Sequence, residues 1–100
     1  MWRKKQDALT PVEVAFLREL GANPGLCAIE LWLGSEALQN WVYSRIKQVS
    51  LHMRYIGLVR AGEPYASRTD YQNWAKKKPL YLTDTGKTIL NKYDNPKEDH

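Results

Sequence analysis

Residues 38–59, LQNWVYSRIKQVSLHMRYIGLV, decide how this chain is read. Within them Leu38, Val42, Ile46, Val49, Met53 and Ile56 recur at steps of four and three, the repeat that lays one apolar stripe along an α-helix. At about 100° per residue the far side carries Asn40, Ser44, Lys47, Gln48 and Leu51, flanked by Trp41, Tyr43 and Tyr55. From Leu38 to Arg60 there are four cations, Arg45, Lys47, Arg54 and Arg60, together with His52, and no carboxylate. A solvated helix ordinarily mixes Glu with its Lys, because opposite charges four residues apart support it. This segment has none of that support. A basic face bearing amide, hydroxyl and aromatic groups suits an approach to phosphates and base edges.

The spacing predicts a long helix over about 36–56. Ser35 is placed to cap its start, and Gly57 and Leu58 to close it in a Schellman turn over Met53. Beyond it, Leu58 to Ala61 and Leu80 to Thr83 alternate as two short strands, the second held to an edge-like start by Pro79. The connection at 62–78 holds Tyr65, Arg68, Tyr71, Trp74 and the run Lys76-Lys77-Lys78, and is too long to be an idle loop. Thr83 or Asp84 then caps a last helix with Ile89, Leu90 and Tyr93 on its apolar edge.

Upstream, Thr10-Pro11-Val12-Glu13 is an explicit helix start, with Thr10 as N-cap, Pro11 at the first helical position and Glu13 closing a capping box. Leu9 and Val14 stand at staple positions, and Gly21 is placed as the residue just past the end of a helix over about 10–20. Ala22 to Gly25 is a turn by composition. The apolar run Leu26 to Leu33 is too short to separate helix from strand by period. It reads as a helix from about Cys27 to Gly34, with Leu26 in a one-residue bridge to a later strand.

One hundred residues with 43% hydrophobic content make one domain with one modest core. No apolar run approaches the roughly 20 residues of a membrane span, and the polar start around Trp2 is not followed by the apolar segment of a secretory signal. A cytoplasmic protein is expected. Residues 38–78 hold eight cations against Glu63 and Asp70, whereas the rest of the chain holds seven cations and nine acids. The positive excess therefore falls on the central helix and the loop after it, a field that attracts a polyanion. Catalysis and metal binding find no foothold. His52 has no ligand partner at suitable spacing, the other histidine is the terminal His100, and Cys27 stands alone among apolar neighbours. Ser44 and Ser50 lack a base, and Thr85-Gly86-Lys87-Thr88 lacks the leading glycine and spacing of a phosphate loop. No enzyme, cofactor, metal or small-molecule substrate is expected.

Particular residues carry a likeness to a family. Leu31-Trp32-Leu33-Gly34 resembles the end of the second helix of MarR-like and PadR-like bacterial regulators, and Val42 to Lys47 resembles their recognition helix. Gly57-Leu58-Val59 resembles the strand after it. Tyr81-Leu82-Thr83-Asp84-Thr85-Gly86 with Leu90 resembles the close of the wing in those families. Two features depart from that pattern: 43–57 is about one turn longer and the segment before Gly34 about half a turn shorter. The dimer-forming helices of those families have no counterpart.

The resemblance implies an α+β, mainly α, winged helix-turn-helix: three helices, a two-stranded β-hairpin wing and a C-terminal helix. An arm would span 1–9, the winged-helix domain 10–93 and a charged tail 94–100. It also implies a DNA-facing surface. Gln39, Asn40, Tyr43, Ser44, Lys47 and Gln48 are then candidates for base edges or adjacent phosphates, and Arg45, Arg54, Arg60, Arg68, Lys76, Lys77 and Lys78 for phosphates. The expected role is a small transcriptional regulator, of phage or mobile-element type. It would bind double-stranded DNA as a homodimer through the arm and the last helix. The alternative is a protein-docking module using the aromatic face of Trp41, Tyr43 and Tyr55 together with the long loop at 62–78, and RNA is a third partner that charge allows.

Overall fold

The first helix, α1 (Pro11–Ala22), starts as its sequence dictates. The Glu13 amide donates to Thr10 Oγ1 at 3.4 Å and the Thr10 amide to Glu13 Oε1 at 2.9 Å, a reciprocal box that satisfies two otherwise unpaired N–H groups. Its end differs from the expectation. Gly21 lies inside the helix, and Asn23 closes it, donating from its backbone at 3.0 Å and its side-chain amide at 3.1 Å to the Glu19 carbonyl. Gly21 is therefore not a cap, and a Cβ there would lie 3.2 Å from Leu82 Cδ1, a side-chain end that can shift.

The structure, a computed structural model, describes residues 9–63, 65–66 and 76–94. After α1 the chain turns through Gly25, whose φ of +93° suits glycine. There the Gly25 amide donates to the Leu80 carbonyl at 2.9 Å, and the Leu80 amide to the Leu26 carbonyl at 3.2 Å, which is the expected bridge to a later strand. The ambiguous apolar run is helical, as α2 (Ala28–Leu33).

The long central helix is not one helix. Ser35 does act as a cap, accepting from the Leu38 amide at 3.1 Å, but the element it starts is only a 3₁₀ turn over Leu38–Asn40. Trp41 and Val42 are extended, with ψ of 152° and 155°, and α3 (Tyr43–Tyr55) begins only then. The recognition helix is therefore 43–55 rather than 36–56. Two contacts hold the break: Trp32 Nε1 donates to the Trp41 carbonyl at 2.9 Å, and Gln39 Nε2 donates to the carbonyls of Trp32 and Leu33 at the end of α2. The extended backbone at Trp41 and Val42 interrupts the helical ladder there, and these contacts fix it in place. The apolar stripe breaks accordingly, since Leu38, Ile46, Val49 and Met53 are buried while Val42 is 67% exposed and Ile56 lies at the surface.

The end of α3 matches its reading. Gly57 has φ +87°, the Leu58 amide donates to the Met53 carbonyl at 2.9 Å and the Gly57 amide to the Arg54 carbonyl at 3.2 Å, the two bonds of a Schellman motif. Strand β1 (Val59–Ala61) then pairs antiparallel with β4 (Leu80–Leu82), Arg60 opposite Tyr81. The connection between them continues the hairpin in part, as β2 (Tyr65–Ala66) paired with β3 (Lys76–Lys77). Three residues separate the two ladders on the outgoing arm and two on the return, so the register slips by one, as at a bulge. Trp2, Arg68, Tyr71, Trp74 and the tail beyond Asp94 lie outside the described residues.

Thr83 settles which residue caps the last helix, α4 (Asp84–Asp94). Its Oγ1 accepts from the Gly86 amide at 3.0 Å while donating to the Gly57 carbonyl at 2.7 Å, and its amide donates to the Leu58 carbonyl at 3.0 Å. One side chain thus starts α4 and binds it to the turn that ends α3. The Leu9 amide donates to the Tyr93 hydroxyl, tying the far part of α4 to the start of α1. Val12, Phe16, Leu17 and Leu20 of α1 meet Leu31, Ile46, Val49, Met53, Val59, Leu80 and Leu82 in one core, with α3 and the wing root side by side on its surface.

Candidate nucleic-acid interface

Burial fixes how α3 is turned. Ile46, Val49, Ser50 and Met53 face the core, so at about 100° per residue the outward line passes through Ser44, Gln48, Leu51 and Tyr55. Ser44, Arg45, Lys47 and Gln48 are all exposed and lie within the first two turns. No side chain caps the helix at Val42, which leaves its first amides available to a phosphate.

Tyr43 sits differently from the other candidates. It is half-buried, its ring 5.7 Å from that of Trp32 at a tilt of 51°. Burial pushes its hydroxyl pKa up, with a smaller contribution from Cys27, so it remains a neutral donor and acceptor. It props α3 on α2 and offers at most its hydroxyl edge to a ligand.

Gln39 and Asn40 are not on the recognition helix. Both are exposed, but Gln39 holds the α2 carbonyls and Asn40 Nδ2 donates to the Ala37 carbonyl at 3.1 Å, so each amide secures the turn that aims α3. Three of the seven phosphate candidates, Arg54, Arg60 and Lys78, gather at the wing root, while Arg45 is exposed early in α3. Arg54, Lys78 and Leu51 line two clefts, one toward α2 with Lys47 and one toward β1 with Arg60 and Tyr55. The Arg60 guanidinium also lies 4.5 Å from the Tyr81 ring centroid, a cation–π contact across the strand pair. The sequence reading missed this role of Tyr81, although pairing two alternating strands places 60 opposite 81. For Lys76 and Lys77 the structure gives backbone position on β3, farther out along the wing, and Arg68 lies outside the described residues.

The aromatic residues of the alternative reading differ in exposure, and most of the loop it also uses lies outside the described residues. Trp41 and Tyr43 are partly buried against the core, and Tyr55 alone of the three is open, at 87% exposure. His52 is exposed on the flank of α3. Among the described residues no group of three His, Cys, Asp or Glu is placed to hold a metal, and no helix is long and apolar enough to cross a membrane.

No protein-family model matches the sequence, and no curated protein matches it. Solved structures do. The crystal structure of MarR superposes over 95% of this chain and 61% of its own with a TM-score of 0.67 at 17% identity. The transcriptional repressor CouR, bound to a 23-mer DNA duplex, matches over 91% of this chain and 56% of its own (TM-score 0.65, 22% identity). A MarR-family protein of Mycobacterium tuberculosis, in complex with p-aminosalicylic acid, matches over 86% and 56% (TM-score 0.61, 24% identity). The chain spans roughly three-fifths of the length of these structures or a little less. With four helices, the hairpin and their order in common, this chain has the winged helix-turn-helix fold of the MarR-family regulators.

Proposed function

We propose that this chain binds double-stranded DNA in a sequence-dependent way, as a small transcriptional regulator acting by binding rather than catalysis. The observation that carries the reading is the outward side of α3. Ser44, Arg45, Lys47 and Gln48 are exposed on a helix with no carboxylate, and Arg54, Arg60 and Lys78 stand beside them at the wing root. In this fold such a helix enters the major groove with its N-terminal half toward the bases. Gln48 and Lys47 supply donors that suit adenine and guanine edges, while Arg45, Arg54, Arg60 and Lys78 suit phosphates and supply affinity more than sequence choice. The likeness to CouR, whose structure holds a duplex, supports the same use of the face.

Gel shifts across a salt series test it. If the basic residues neutralise about six phosphates, affinity falls about a thousandfold between 50 and 200 mM monovalent salt. Failure to bind any duplex at low salt would refute the proposal.

A further inference from the structure

Leu51 is the residue of α3 that phosphate binding does not account for. It stands on the outward line of the helix, 53% exposed, between Gln48 and Tyr55. Isolated exposed leucines are ordinary on protein surfaces, so position alone carries nothing. The surroundings carry more. Leu51 lines both clefts that flank α3, and among the described residues the charged side chains sharing those linings are Lys47, Arg54, Arg60 and Lys78, every one a cation. A second copy of this chain would bring the same cations to the same place, which argues against self-association through this face. A duplex brings phosphates to the rim. In the floor of its major groove it presents one apolar group, the 5-methyl of thymine.

From the structure we infer that Leu51 is a specificity-determining residue that packs on a thymine methyl in the major groove. The inference rests on the DNA-binding reading above and adds a base class to it. Along the helix Leu51 lies about 10 Å beyond Ser44, or about three base pairs. Ser44 and Gln48, in the N-terminal half of α3, then face polar base edges, and Leu51, less than one turn beyond Gln48 on the same outward line, marks the far limit of the base contact and faces a methyl there. Burying one methyl is worth about a factor of four in affinity.

The test starts from duplexes selected by the full chain from a random pool, with thymines then replaced singly by uracil, which removes the methyl and keeps the pairing edge. The wild-type chain is expected to lose about fourfold at one or two thymines of each half-site. Leu51→Ala, an exposed change that leaves the core intact, should bind the parent duplex correspondingly more weakly and no longer distinguish uracil there. Equal binding to parent and to every uracil duplex overturns the inference while leaving DNA binding in place. So does a selected site without thymine, or a Leu51→Ala chain that keeps the full uracil penalty. Absence of binding to any duplex refutes the DNA reading itself, and this inference with it.

Discussion

At Gly86 a single hydrogen atom decides whether α4 can dock. A Cβ built there would lie 2.2 Å from the Leu58 carbonyl oxygen, a backbone atom already held by the Thr83 amide and unable to swing aside. Gly86→Ala must therefore push α4 off the turn that ends α3, and overpacking of this kind costs about 3 kcal/mol. Gly21→Ala is the control. It too adds a methyl inside a helix, but the nearest atom is Leu82 Cδ1 at 3.2 Å, the end of a side chain that can yield, and the helix gains the propensity of alanine. The first variant should lower the thermal midpoint by more than about 10 °C and the second should leave it within about 4 °C. Similar shifts for both would show that the close approach at Leu58 is not what Gly86 serves. Thr83 and Gly86 were legible as a motif, yet their purpose was not, because a carbonyl 28 positions away in the chain is invisible to local pattern.

At the scale of elements, legibility depended on whether a boundary leaves a chemical mark. The start of α1 and the end of α3 are marked by residues with special backbone or capping roles, Thr10, Pro11, Glu13 and Gly57, and both stand where the sequence placed them. The break before α3 has no such mark. No glycine or proline lies between Ser35 and Gly57, and buried apolar residues stand on both sides of the break, Leu38 before it and Ile46 after it, so the period ran across it. The backbone turns extended at Trp41 and Val42, and what holds it there is tertiary, the Trp32 indole on the Trp41 carbonyl. That break moved Gln39 and Asn40 off the helix and left Ser44, Lys47 and Gln48 as its outward polar residues, which sharpens the candidate site. The division of labour between elements can be measured on selected duplexes. Gln48→Ala on α3 should cost about 1–3 kcal/mol against its preferred base pair and relax choice at that position alone. Lys78→Ala at the wing root should weaken all sequences alike and lower the salt slope by about one. If Gln48→Ala weakens every sequence equally, α3 holds phosphates and does not read bases.

The whole molecule sets a limit that no single element can escape. On the DNA-binding proposal α3, about 20 Å long at about 1.5 Å per residue, would lie in the groove over only a few base pairs, each discriminating by about 1–3 kcal/mol. One copy therefore separates its site from random DNA by too little to find it among many competitors. Two copies related by a two-fold axis square that discrimination, and their sites become inverted repeats whose half-site centres lie about 10 base pairs, or a multiple, apart. The Leu9 to Tyr93 contact brings the entry to α1 and the exit of α4 together, so a second copy meeting the last helix would also meet the start of α1. Selection from a random duplex pool should return sequences with that dyad, and sedimentation of the complex should give two chains per duplex. Selected sites without dyad symmetry, bound by one chain at full affinity, would mean that the wing and not a second subunit completes the recognition.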